Sequence, residues 1–194
     1  MLEILTGVLQ GLTEFLPISS SGHLVIISSL SSELDLNTND IAFLHIGTLF
    51  SIVFFYRKRI FEIFEDLDTF VFYFKIILAG IIPAVLIGLL TPIQNIIDES
   101  PNLILITGAS YLIFSLLLIF SGKINNSEAL NIRDITVSQA FVIGIAQSIA
   151  LLPGVSRSGV TLLTAIYLGV KKADAIYYSL LLGIPTIFGA WSLT

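Results

Sequence analysis

Cysteine is absent from the 194 residues, which excludes disulfides. Charge is scarce as well: 12% of residues are charged, against roughly 25% in soluble domains. The net charge is -5 and no basic run interleaves with aromatics, so nucleic-acid binding is excluded as a function class. The start, Met1-Leu2-Glu3, lacks the basic stretch of a cleaved signal peptide. What is abundant is apolar. Hydrophobic residues make up 55% of the chain, fourteen of them Phe, and the mean hydropathy is +0.96. The composition is that of an integral membrane protein.

Four apolar runs read as simple spans of roughly 20 residues: Ile41–Tyr56, Ile76–Ile93, Leu103–Phe120 and Ala175–Leu193. The third is bounded by Pro101 before it and Gly122-Lys123 after it. Pro83 and Pro185 fall inside spans and are expected to kink them.

Between the runs, one sixteen-residue pattern occurs twice. Gly7–Gly22 reads GVLQGLTEFLPISSSG and Gly144–Gly159 reads GIAQSIALLPGVSRSG. At an offset of 137 residues five polar or glycine positions coincide: Gly7/Gly144, Gln10/Gln147, Ser19/Ser156, Ser21/Ser158 and Gly22/Gly159. Each copy runs apolar residues into a proline, a Ser/Gly cluster and more apolar residues. This predicts two half-helices too short to cross a bilayer, joined as a re-entrant hairpin. Broken backbone survives at membrane depth only where protein or a water-filled cavity surrounds it.

The basic residues test this reading. If both copies return to their side of origin, Arg57, Lys58, Arg59, Lys75, Lys123, Arg133, Lys171 and Lys172 all fall on one side. The N-terminus, the Glu33–Asp40 loop, the Asp98-Glu99 loop and the C-terminus fall on the other. The positive-inside rule then puts the basic loops in the cytoplasm and both termini outside. Three spans separate the copies, so the hairpins start from opposite faces. The expected fold is all-α: one polytopic membrane domain of inverted-topology repeats with two re-entrant hairpins. The halves run over about residues 1–122 and 135–194, and the second lacks two spans that symmetry predicts. That deficit leaves open a natural short form completed by a second subunit, a truncated product or a non-catalytic partner. It also gives the chain a reason to form a homo-oligomer. Such repeats place a site near the midplane.

The copies differ where chemistry is expected. Ser19, Ser20, Ser21, Ser156 and Ser158 precede apolar helices, and serine is a good N-cap. Two helix N-termini facing each other suit a strongly anionic group such as phosphate or pyrophosphate, although serine breaks also cap plain kinks. Arg157 replaces Ser20 of the first copy and supplies a planar fork for bidentate phosphate contact. A charge at that depth costs at least about 2.5–3.5 kcal/mol. Glu14 aligns with Leu151 of the second copy and shares a helix face with Gln10. It reads as a metal ligand, as a carboxylate orienting a base, or as the ion-pair partner of Arg157. His23, one turn after Ser19, is a candidate general base, acid or nucleophile; Ser20 and Ser156 are candidate nucleophiles. His45, mid-span among apolar neighbours, reads as structural.

At these residues the chain resembles the undecaprenyl pyrophosphate phosphatase family, named for its bacitracin-resistance members. Gln10, Glu14 and Pro17-Ile18-Ser19-Ser20-Ser21-Gly22-His23 match its first motif. Pro153-Gly154-Val155-Ser156-Arg157-Ser158-Gly159-Val160-Thr161 matches its second. Ala79-Gly80-Ile81-Ile82-Pro83-Ala84 is similar too, and the likeness runs from about residue 3 to the end. The resemblance implies a plasma-membrane phosphatase that hydrolyses a polyprenyl diphosphate to the monophosphate and phosphate, recycling a lipid carrier for envelope synthesis. It implies a divalent metal, Mg2+ or Ca2+, held by Glu14 with Gln10 assisting. Arg157 would clamp the phosphates with Ser19, Ser156, Ser158 and Thr161 around them, and Ser20 or His23 would perform or activate the attack. Gln10 stands where many members carry an acid, which should weaken the metal. A transporter or flippase for a phosphorylated polyprenyl lipid is the alternative.

Overall fold

The computed structural model describes residues 2–30, 38–121 and 130–192. Part of the Glu33–Asp40 loop, the Gly122-Lys123 end signal and Leu193 lie outside the described residues. Ten α-helices are formed by them: α1 Leu2–Phe15, α2 Ser20–Leu30, α3 Thr38–Phe55, α4 Arg57–Ile63, α5 Leu67–Leu90, α6 Ile93–Asp98, α7 Leu103–Ser121, α8 Val137–Ser148, α9 Arg157–Tyr167 and α10 Lys172–Ser192. No strand occurs among the described residues, apart from one isolated bridge between Leu130 and Val170. The chain is an all-helical membrane protein.

Helices α5, α7 and α10 are long and apolar enough to cross a membrane. In α3 the described apolar stretch is the shorter Phe43–Phe55. The α5 helix starts nine residues ahead of the expected Ile76, because Asp66 caps it: its carboxylate accepts from the Thr69 amide at 3.0 Å and the Thr69 hydroxyl at 2.8 Å. Those bonds hold the Asp66 carboxyl below its ordinary pKa. At 24 residues α5 is about 36 Å long, more than a bilayer core of about 30 Å. Lys75 therefore lies within this helix rather than in a loop. Its C-terminal end falls at Leu90, earlier than the expected Ile93, where Thr91-Pro92 divides it from the short α6. Pro83 and Pro185 both lie inside continuous helices.

An apolar core of Tyr73, Ile76, Ile143, Tyr178 and Leu182 lies inside, and the exterior differs from that of a soluble protein. Large apolar side chains cover the outside, Phe50, Phe54, Phe55, Leu105 and Leu112 among them. Buried polar residues gather inside, most densely in the two repeated segments: Gln10, Thr13, Glu14, Ser19, Ser20, then Gln147, Ser156, Ser158, Thr161. A surface facing lipid gains nothing from polar side chains, so these are left to satisfy one another indoors. Helix α5 packs along α8, α3 along α10 and α1, α9 against α8 and α10, and α7 against α2. Small residues permit the closest of these approaches. A Cβ on Gly144 of α8 would press into the Gly80 carbonyl of α5. Tyr178 of α10 donates to the Ile76 carbonyl at 2.7 Å, joining α10 to α5 across the core.

Candidate active site

Each repeated segment forms a helix, a break and a second helix: 14 and 11 residues in the first, 12 and 11 in the second. The first break runs through Leu16, Pro17 and Ile18 to Ser19, which adopts a left-handed φ of 61°. A non-glycine residue there costs of order 1–2 kcal/mol. Three contacts hold the Ser19 turn. Its carbonyl accepts from the Tyr111 hydroxyl at 2.8 Å and lies 2.7 Å from His23 Nδ1, and its hydroxyl accepts from the Gly22 amide at 3.4 Å. Tyr111 and His23 also meet each other at 2.7 Å.

The second break passes through a short 3-10 turn, Ile149–Leu151, then Pro153 and Gly154 at φ 92°. Ser156 caps α9 by accepting from the Gly159 amide at 3.1 Å. A side chain at Gly154 would run into the Thr107 carbonyl of α7.

The two breaks touch. A Cβ on Gly22 would lie 2.9 Å from the Gly154 Cα, and one on Gly159 would lie 3.0 Å from the Pro17 Cβ. Glycines at these positions let the N-terminal ends of α2 and α9 converge.

Glu14 sits at the junction, 9% exposed. Its Oε1 accepts from Arg157 Nη2 at 2.7 Å. Its Oε2 accepts from the Ser20 hydroxyl at 2.5 Å and from Gln10 Nε2 at 3.1 Å, and lies 3.4 Å from His45 Nε2. Its backbone carbonyl accepts from Ser158 at 3.2 Å. The acid of the first segment and the arginine of the second are thus one buried ion pair, which needs such extra hydrogen bonds to offset its desolvation. Arg157 has room only because residue 183 of α10 is glycine; a Cβ there would collide with the guanidinium. Thr161 and Ser179 share a hydrogen bond at 2.6 Å, and Ser179 donates to the Ser158 carbonyl at 2.9 Å, fastening the start of α9 to α10.

A cleft of about 510 Å³ opens beside this pair. Glu14, Ser19, Ser20, Ser156, Arg157 and Ser158 line it. Gln10 and Thr161 are fully buried behind it. His23 does not line it: its ring is turned to Tyr111 and Ser19. His45, which has no polar neighbours in sequence, does line it and contacts Glu14. Gln94 and Asn95 of α6 and Thr186 and Trp191 of α10 also line the cleft, and sequence reading passed over them. The only signal was a polar pair, Gln94-Asn95, at the end of an apolar run.

Two polar atoms in this neighbourhood have no partner among the described residues: Gln10 Oε1 and Arg157 Nη1. An acceptor beside the Glu14 carboxylate suits a hard cation, and a guanidinium N–H suits an anion. Glu14, Ser20 and Gln10 carry oxygens of the kind that Mg2+ and Ca2+ take, and Gln10 turns its amide N–H rather than its oxygen to Glu14. No group of three or more His, Cys, Asp or Glu placed to hold a metal ion occurs among the described residues. One carboxylate is enough for a cation whose other ligands are water and substrate phosphate.

A family model described as bacitracin resistance protein BacA matches residues 3–194. An undecaprenyl-diphosphatase of Methanococcus maripaludis is 37% identical over 197 residues, covering 98% of this chain and 76% of that relative. One from Thermosipho africanus is 40% identical over 195 residues, with the same coverage of both. One from Christiangramia forsetii is 40% identical, covering 96% of this chain and 72% of the relative.

Proposed function

This chain belongs to the bacitracin resistance protein BacA family, and we propose that it hydrolyses a polyprenyl diphosphate of the undecaprenyl type to the monophosphate and inorganic phosphate. The reaction returns a lipid carrier to envelope glycan synthesis. The observation that carries the mechanism is the Ser20–Glu14–Arg157 chain, in which one carboxylate receives a hydroxyl from its own segment and a guanidinium from the other.

Arg157 exchanges part of its hold on Glu14 for the terminal phosphate, with Nη1 already unpaired. The N–H groups at the starts of α2 and α9 and the Ser156 and Ser158 hydroxyls add donors around the phosphate oxygens. Glu14 takes the proton of Ser20. The Ser20 oxygen bonds to the terminal phosphorus, and the phosphorus–oxygen bond to the prenyl monophosphate breaks, releasing that lipid. Water then attacks the phosphoserine phosphorus as its bond to Ser20 breaks, giving phosphate; a proton from water passes to the Ser20 oxygen, and Glu14 releases the proton it took to solvent. His23 is a positioning residue here, because with Tyr111 it holds the Ser19 turn that aims Ser20. Glu14, with Gln10 assisting, would hold a divalent metal, and that ion would supply charge neutralisation for the phosphates.

The two segments are re-entrant hairpins of an inverted repeat. Their helix lengths support this, as does the packing of α3 on α10, each the first long helix after its break. The basic loops face the cytoplasm. Single cysteines at Glu99 and Lys172 in the cysteine-free chain should label from opposite sides, and labelling from one side would end this topology.

The direct test is phosphate release from undecaprenyl diphosphate by the purified chain, with Mg2+, Ca2+ or chelator, and a search for phosphoserine at position 20. Full turnover in Ser20→Ala would remove the covalent step.

A further inference from the structure

Val155, buried between Gly154 and Ser156, lines the polar cleft and also a second cavity of about 280 Å³. The second cavity is apolar and follows faces of α9 and α7, with Ala146, Ile149 and Leu152 closing a third side. On α9 it is walled by Val160, Leu163, Thr164 and Tyr167, and on α7 by Ser110, Ile113, Phe114 and Leu117. Each set steps by three, one and three residues, which is one stripe of an α-helix. The groove begins at Val160, three residues or about 4.5 Å along α9 from Arg157, and ends at Tyr167, about 15 Å from it. Its floor, Phe114, Val155 and Val160, is buried, whereas Ile113, Leu117 and Tyr167 on its rim are exposed. Tyr167 combines a ring with a hydroxyl at the far end, as suits a side chain near a membrane surface.

We propose that this groove holds the first isoprene units of the substrate, leading the lipid tail from the phosphate clamp out between α7 and α9. The proposal rests on the phosphatase reading and specifies where its lipid goes. Continuity decides the occupant. A tail joined to a diphosphate at Arg157 must leave the cleft next to it, and Val155 is the shared wall. A larger apolar cavity of about 400 Å³, between Phe15, the end of α3 and Leu180, shares no lining residue with the polar cleft. Lipid tails and apolar side chains attract each other no more than tails attract tails. The groove therefore acts by orienting the diphosphate, and filling it should lower kcat/KM.

The experiment uses the full chain in lipid nanodiscs and a prenyl diphosphate carrying a benzophenone in its first isoprene units. Photolysis and peptide mapping should place adducts on residues 110–117 and 160–167, and excess undecaprenyl diphosphate should compete them away. Leu163→Trp and, from the facing helix, Leu117→Trp should each lower labelling and kcat/KM for undecaprenyl diphosphate about tenfold. Leu180→Trp in the other cavity should change neither. Adducts on residues 51–56 or 180, adducts that excess substrate does not displace, or unchanged kcat/KM in both groove variants would overturn the groove. Competed labelling of the groove without phosphate release would keep the groove and reject the phosphatase.

Discussion

At the first break the chain turns through Pro17 and a left-handed Ser19; at the second it turns through Pro153 and a left-handed Gly154. Both turns are braced by one face of α7. Tyr111 holds the Ser19 carbonyl, Thr107 and Ser110 close over Gly154, and Phe114 lies on Gly159. The bracing differs in kind. Ser19 is held by hydrogen bonds that include His23, whereas Gly154 is held by close packing that only an absent side chain permits. The glutamines differ as well. Gln10 donates to Glu14, but its counterpart Gln147 donates to the Gly80 carbonyl at 3.4 Å and serves the α8–α5 contact. The two loops are similar in sequence, and their division of labour comes from what each loop faces: an acid and its donors in one, a cation and a tight helix contact in the other.

The largest effect should come from separating acid and cation. Arg157→Ala and Glu14→Ala should each lower kcat/KM by about 10³-fold, the size of a lost transition-state donor. Each should also destabilise by about 3–5 kcal/mol, because the other charge is left buried and unpaired. The double variant Glu14→Ala/Arg157→Ala should lose less stability in thermal unfolding than the sum of the two single losses. Additive losses in that cycle would mean the pair is not coupled.

Next in size is the brace on the first break. His23→Ala should cost about 10²-fold in kcat, the scale of a misplaced reacting group, and Tyr111→Phe should lower it in the same direction. An undiminished kcat in Tyr111→Phe would give His23 a role apart from the Ser19 turn.

Third, the turns should respond unequally to exchange between glycine and a small side chain. Gly154→Ala should destabilise by at least about 1–3 kcal/mol, through its φ and the Thr107 carbonyl. Ser19→Gly should keep the turn and most of the stability. Equal thermal shifts would erase the distinction between a packed turn and a hydrogen-bonded one.

The smallest effect lies away from both breaks. Because folding lowers the Asp66 pKa, its cap stabilises above the unfolded pKa, and this contribution fades as pH falls through the folded one. Asp66→Ala should therefore lower the unfolding temperature at neutral pH by a small amount, and the gap to the unaltered chain should close in acid.

Much of this was legible in the residues. A proline followed by serines in an apolar chain announces a broken helix, and a lone arginine or glutamate at depth announces a partner, because both are costly locally. The starts of α2 and α9 follow from their caps. The extra turns of α5 were hidden, since Asp66-Leu67-Asp68-Thr69 looks like loop until its capping bonds are seen.

What the sequence by itself determined was the membrane class, the two breaks, and the presence of one acid in the first and one cation in the second; their pairing across 143 residues is seen in the fold. Tertiary structure alone decided which histidine meets Glu14. His23 is close in sequence and turns toward α7, while His45 comes from another helix and lines the cleft. It also brought Gln94, Asn95 and Trp191 to the cleft and set Gly183 under Arg157. The reason is geometric. Local cost marks a residue wherever it stands, but a contact between helices depends on their rotation and approach, which small residues on distant segments set together.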